Sequence, residues 1–378
     1  MSLVPSPSLI HSAAPSRVAV SPCRPDGSSP TTSLSLLPAG STTPHVPATT
    51  RPHVRACRVE VAVRLDLRHA GPREVTLRAE ILGDPSLPTV FVAGGISAGR
   101  HVAASAAFDH PGWWDAQVGA SHALDPRVRC IVAIDWLGAD GQIDAPIDPA
   151  DQADAIAALL DELRIARLAA FVGSSYGAMV GLQFAARHGS RLGRLIAISG
   201  THRAHPYASA WRALQRRAVA LGALQCDETH GLALARQLAI LSYRTPQEFD
   251  GRFDAARVVN GRVRVGAEDY LDHCSAKFVA ATTATGFLRL SESIDLQDVR
   301  PESIDVPATV VAVVQDRLMP LSDARALVRR LRGPARLRVL QSRYGHDAFL
   351  KEHAAIAAIL SACLDDAATD AEVAERAA

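Results

Sequence analysis

Leu168-Ala169-Ala170-Phe171-Val172-Gly173-Ser174-Ser175-Tyr176-Gly177, running on through 178–187, is the stretch that decides how this chain folds. The apolar residues 168–172 read as a fully buried strand. Gly173 and Gly177 then flank Ser175 in a G-x-S-x-G pattern, and 177–187 takes helical spacing. Two glycines permit a strand-to-helix turn too tight for a Cβ, and that turn holds the serine oxygen clear of the sheet. The helix N-terminus behind it turns positive dipole ends toward an oxyanion formed at the serine. Alone, five residues with two fixed glycines are a weak pattern. Between a strand and a helix they are a strong one.

Outward from this elbow the same alternation repeats. Upstream, 59–67 and 75–81 alternate apolar with polar residues, the period of half-buried strands. Thr89–Ala93, ending in Gly94-Gly95, and Cys130–Ile134, ending at Asp135, read as buried strands, and 149–164 as a helix with acidic residues near its start. Downstream, 195–199, 308–314 and 337–340 read as strands, and 321–331 and 353–364 as helices. The pattern predicts an α/β class: a mostly parallel sheet with helices on both faces. Between 201 and 290 the rhythm changes to a helix-prone, aromatic, Arg-rich segment without buried strands. It predicts a helical cap (201–290) inserted between strands of a core made of 56–200 and 291–378. Residues 1–55 are rich in Ser, Thr, Pro and Ala with no lasting periodicity, and are expected to be disordered. Such composition also suits a transit peptide, with a dispensable tail the simpler reading.

The chain has 378 residues, 48% hydrophobic, which suffices for a large core. Forty Lys and Arg against 39 Asp and Glu leave a formal charge of +1, so no field gathers nucleic acid or an anionic membrane. The six cysteines (Cys23, Cys57, Cys130, Cys226, Cys274, Cys363) show no CxxC pair and there is no His cluster at metal spacing. They read as reduced thiols of a cytoplasmic protein that holds no metal. No apolar run approaches the ~20 residues that cross a bilayer.

Serine is not nucleophilic until a base takes its proton. Two residues further along suit that work. Asp316 lies just beyond the strand 308–314, and His346 follows the strand 337–340 in Tyr344-Gly345-His346-Asp347. The order Ser, acid, His, each at the end of a predicted strand, is that of the α/β-hydrolase fold. In this assignment His346 accepts the Ser175 proton, and Asp316 fixes the imidazole tautomer and stabilises its charged form. The turn after Thr89–Ala93, with Gly95, Ile96, Ser97 and Ala98, is expected to face the oxyanion and shape specificity together with Tyr176. Rossmann-type nucleotide binding is disfavoured, because no G-x-G-x-x-G follows a first strand.

Further motifs carry a resemblance. Gly231-Leu232-Ala233-Leu234-Ala235-Arg236 is followed by Leu241-Ser242-Tyr243. His346-Asp347, Asp316-Arg317-Leu318 and Val92-Ala93-Gly94-Gly95-Ile96-Ser97, with His101 shortly after, complete the set. Over roughly 57–364 the chain resembles the homoserine O-acyltransferases of methionine biosynthesis. The resemblance implies a ping-pong transfer of a succinyl group from succinyl-CoA to the hydroxyl of L-homoserine. No cofactor beyond the acyl-CoA substrate is implied, and the expected assembly is a homodimer through the cap. Arg236 would grip the homoserine carboxylate, Asp347 would pair with its ammonium, and Leu318 would line the acyl pocket.

The elbow reads GSSYGAM where many members have GGSMGGM. The oxyanion turn reads GGIS rather than an aromatic or threonine-bearing version, and the cap step reads LSY rather than ITY. These departures leave acetyl-CoA as donor and serine as acceptor open as alternatives. Arg203, Arg212, Arg216 and Arg217 around the cap favour succinyl. A carboxylesterase-type hydrolase with the same triad is the rival reading, and a catalytically silent scaffold a more distant one. A neutral ester would leave Arg236 and Asp347 without charge partners.

Overall fold

The computed structural model describes residues 18–20, 55–224 and 228–377, with the backbone alone for 18–20 and 366–377. The disorder expected of residues 1–55 concerns positions that mostly lie outside the described residues. Within that stretch Val18–Val20 form strand β1, antiparallel to Val59–Val61.

Ala56–Leu67 (β2) and Gly71–Leu82 (β3) pair antiparallel along their whole length, with Val59, Val61, Leu65 and Leu67 turned inward at two-residue spacing. Thr89–Ala93 (β4), Cys130–Ile134 (β5), Ala170–Ser174 (β6) and Leu195–Ile198 (β7) follow, all wholly buried. Helices Pro149–Glu162 (α1) and Tyr176–Arg187 (α2) connect them. Asp148 caps α1 by accepting from the Ala150 N–H, and Asp151 returns a bond to the Asp148 N–H.

After β7 the chain leaves the sheet. Pro206–Leu224 (α3), Glu228–Tyr243 (α4) and Pro246–Asp250 (α5) come first, then a hairpin of Arg257–Val259 (β8) and Arg262–Arg264 (β9). Gly266–Val279 (α6) and Ala284–Asp295 (α7) complete the excursion. The chain returns as Ala308–Val313 (β10), Leu321–Arg330 (α8), Ala335–Leu340 (β11), Ala348–Lys351 (α9) and His353–Ala377 (α10). Two features differ from the sequence expectation for 201–290. The segment contains the exposed β8–β9 hairpin, and α7 runs past 290 to Asp295, so the return to the sheet comes later.

The main sheet has the order β1-β2-β3-β5-β4-β6-β7-β10-β11, parallel from β5 onward. Along β4, Val90 and Val92 face one core with Ile356 and Leu360 of α10, while Phe91 and Ala93 face the other with Phe171 and Phe184. Because the parallel strands share one direction, their carboxyl ends lie along one edge, where the elbow, the Asp316 turn and the His346 loop emerge. A third, smaller apolar cluster, including Ala218, Leu232, Ala235 and Phe287, holds α3, α4 and α7 together. Among the described residues no helix is long and apolar enough to cross a membrane.

Candidate active site

Ser175 joins β6 to α2 with φ 56° and ψ −118°, a conformation that costs a non-glycine residue on the order of 1–3 kcal/mol. The surroundings enforce it. The Ser175 N–H donates to Ile198 O at 2.8 Å, and the Gly177 N–H to Gly94 O at 2.9 Å. A Cβ on Gly173 would lie 2.3 Å from Gly177 O, and one on Gly177 2.3 Å from Ala93 O. No other residue fits either place.

The elbow meets the two other members of the predicted set. Ser175 Oγ is 2.8 Å from His346 Nε2, and His346 Nδ1 is 2.7 Å from Asp316 Oδ2. The other Asp316 oxygen accepts the backbone N–H groups of Leu318 at 2.8 Å and Met319 at 2.9 Å, which fixes the carboxylate's orientation. With Nδ1–H donating to Asp316, Nε2 is left to accept the serine proton. Burial, the largest single influence on His346, favours the neutral ring. The charge and hydrogen bond of Asp316, aided by Asp347, outweigh it and hold the imidazole above the usual histidine range.

Gly95, Ile96, Ser97 and Ala98 form a turn closed by Ala98 N–H donating to Gly95 O at 3.0 Å and braced by Trp136 Nε1 on the same oxygen. All four line the cavity over Ser175, and a Cβ on Gly95 would stand 3.8 Å from Ser175 Cβ. Tyr176 requires a correction. Its ring is buried in the core, edge-on to Trp136, with its hydroxyl 2.7 Å from Ser293 Oγ, and it does not line the cavity. Only its backbone N–H, the first of α2 and so without an intrahelical acceptor, remains for an oxyanion. His101 also lies elsewhere, bonded to Glu80 and His110 O.

The cap closes over a cavity of about 540 Å³ that Leu318, Arg236 and Asp347 also line. Arg236 on α4 packs its guanidinium over Phe278 (4.8 Å) and Tyr243 (5.7 Å), and its Nε is buried without a hydrogen-bond partner. Asp347 has a side chain only 13% exposed, and this loss of water pushes its carboxyl above the usual range despite Arg244, His346 and Arg236. Of the four cap arginines, Arg212 lines the cavity and Arg216 stands beside it. Both pair with Asp295, Arg212 Nε at 2.8 Å and Arg216 Nη1 at 2.8 Å. Arg203 and Arg217 are exposed and do not line it, since they fall on the solvent side of this region. Sequence reasoning missed Arg244, which stands between Glu248 and Asp347 in the cavity wall. Among the described residues no His, Cys, Asp and Glu cluster suits a metal.

The sequence matches the alpha/beta hydrolase fold family over residues 95–353. It is 60% identical over 335 residues to a homoserine O-succinyltransferase of Xanthomonas campestris pv. campestris, covering 88% of this chain and 90% of that protein. A serine O-succinyltransferase of the same organism is 30% identical over 341 residues, covering 73% of this chain and 88% of that one. Among solved structures, a homoserine O-acetyltransferase from Bacillus anthracis has the same fold, with a TM-score of 0.72 over 83% of this chain and 98% of that one at 16% identity. With its elbow, its cap and this likeness along nearly its whole described length, the chain belongs to the homoserine O-acyltransferase family of the α/β-hydrolase fold.

Proposed function

We propose that the protein transfers a succinyl group from succinyl-CoA to the side-chain hydroxyl of L-homoserine, an activation step of methionine biosynthesis. One observation carries this reading beyond the fold. The cavity over Ser175 presents a half-buried arginine, Arg236, whose Nε is buried and whose guanidinium packs on aromatic rings rather than against a carboxylate, together with a largely buried carboxylate, Asp347. A zwitterionic amino acid supplies both counter-charges, and a neutral ester supplies neither.

In the first half-reaction Ser175 Oγ attacks the thioester carbonyl as His346 Nε2 takes its proton. The tetrahedral oxyanion faces the Tyr176 N–H and the Gly95–Ala98 turn, and the CoA thiolate leaves with the proton from His346. In the second, the homoserine hydroxyl gives its proton to His346 and attacks the acyl-serine carbonyl. O-succinylhomoserine departs and Ser175 regains its proton. The sequence balances with the two substrates alone and calls on no metal or prosthetic group. The cap limits water, which would otherwise hydrolyse the acyl-enzyme. The Arg212–Asp295–Arg216 cluster, of which Arg212 lines the cavity, holds two cations against one anion beside it, a surplus that supports a carboxylate-bearing acyl group over acetyl. We also propose that two copies pair through the cap.

The test is release of free thiol from succinyl-CoA or acetyl-CoA, with homoserine, serine or no acceptor. Release that needs homoserine and prefers succinyl-CoA is expected, and Ser175→Ala should lower it by on the order of 10⁴ or more without unfolding the protein. Preference for acetyl-CoA would overturn the donor, and preference for serine the acceptor. Equal release without an amino acid would make the protein a hydrolase.

A further inference from the structure

Beside Asp347 the cap places an arginine that the reaction above does not use. Arg244 directly follows α4 and has a side chain only 11% exposed. Its Nη1 donates to Glu248 Oε1 at 2.7 Å, and its guanidinium lies 5.3 Å over the Tyr270 ring. Its Nε stands 3.5 Å from Asp347 Oδ2, beyond hydrogen-bond range, and that buried Nε has no hydrogen-bond partner. Glu248 is itself buried, on α5, whose N-cap Thr245 hydrogen-bonds Arg343 O in the His346 loop. The pair is thus fixed to the same loop that carries Asp347.

We propose that Arg244, restrained by Glu248, is a positioning residue for the amino-acid acceptor: it supplies Asp347 with a counter-charge while standing too far off to occupy its oxygen, leaving that carboxylate to the acceptor's ammonium. The inference rests on the acyl-transfer reading of this cavity. If Arg244 closed fully onto Asp347, it would compete with the ammonium. If it were absent, burial would favour the protonated acid, which cannot pair with a cation. The groups acting on Asp347 are Arg244, Arg236 and His346, which favour its charged form, and Glu248, which opposes it. Removing Arg244 and neutralising Glu248 therefore push Asp347 in opposite directions.

The experiment uses the full chain and separates the two half-reactions. Succinyl-enzyme formation on Ser175 is followed by intact mass, and the KM for homoserine is followed across pH. Arg244→Met is expected to raise acceptor KM about tenfold at neutral pH, a penalty that shrinks as pH rises and Asp347 ionises. Succinyl-enzyme formation should change by less than about twofold. Arg244→Lys should recover part of the loss. Glu248→Gln should shift the acid side of the KM profile the opposite way, to lower pH. An unchanged KM in Arg244→Met, a pH-independent rise, shifts of the same sign in both variants, or equal loss of succinyl-enzyme formation would overturn the proposal. If the parent forms no succinyl-enzyme, the acyl-transfer reading falls first and this inference with it.

Discussion

In the proposed mechanism His346 works only when Nε2 is free of a proton, so its titration would set the acid side of the activity profile. Its raised affinity for protons comes from Asp316, chiefly through charge and the 2.7 Å hydrogen bond, acting against burial. Because the neutral ring is the working form, activity falls as pH drops through a value above the ordinary ~6.5 of histidine. Asp316→Asn removes the charge and moves that limb down. An asparagine amide also donates as readily as it accepts, so Nδ1 is free to become the acceptor and Nε2 to carry the proton. The rate should fall by on the order of 10⁴. A kcat/KM profile of the variant checks both effects, and an unmoved limb would show that Asp316 does not control the imidazole. At this scale much was legible in the sequence. Ser175, Asp316 and His346 were marked by local turns at strand ends, and Arg236 and Asp347 by motif. Arg244 was not, because a basic residue at a helix end is already explained by the dipole. Its partners Glu248 and Asp347 meet it only through the fold.

Elements were legible where periodicity is strong and less so where pairing decides. The run 168–172 predicted a strand two residues early. Leu168 makes only an isolated bridge to Leu192, and the ladder proper starts where Ala170 pairs with Val90 and Phe171 with Leu195. Hydrophobicity marks the run, but register belongs to the neighbours. The β8–β9 hairpin did have a signal, Asn260-Gly261, both at positive φ as a two-residue turn requires. Its strands are exposed, so no buried run announced it. Packing between cap helices turns on Gly231, where a Cβ would lie 2.7 Å from Ala218 O and 2.9 Å from Val219 Cα. Gly231→Val should force α4 away from α3 at a cost of about 1–3 kcal/mol. Arg236 sits five residues on in the same helix, so the acceptor KM should rise while Ser175 still reacts with a fluorophosphonate probe. Thermal unfolding and KM together check this. An unchanged Tm would mean that the helices are not limited by that contact.

The whole molecule asks the cap to serve two surfaces at once. One side of α3 and α4 faces the cavity through Arg212 and Arg236. The other shows solvent Leu214, Leu221 and Leu224 on α3, and Leu234 and Leu241 on α4, with Leu221 63% and Leu224 81% exposed. Leu214 and Leu221 are seven residues apart, as are Leu234 and Leu241, so each helix carries its leucines along one stripe. Large apolar side chains gathered on one face favour burial against a partner, and two copies related by a twofold axis would stack two helices on two. This is the physical case for the proposed homodimer. Sedimentation should give twice the chain mass for the parent and a single chain mass for the double variant Leu221→Glu, Leu241→Glu, since glutamates facing each other across a twofold repel and cannot be desolvated. Because the same helices carry Arg236, the proposed grip on the acceptor, on their inner side, the monomer should also lose acceptor affinity while retaining acylation of Ser175. A parent that sediments as a single chain would refute the pairing. A monomeric variant with unaltered acceptor KM would show instead that the cap holds its inner face without help from a second copy.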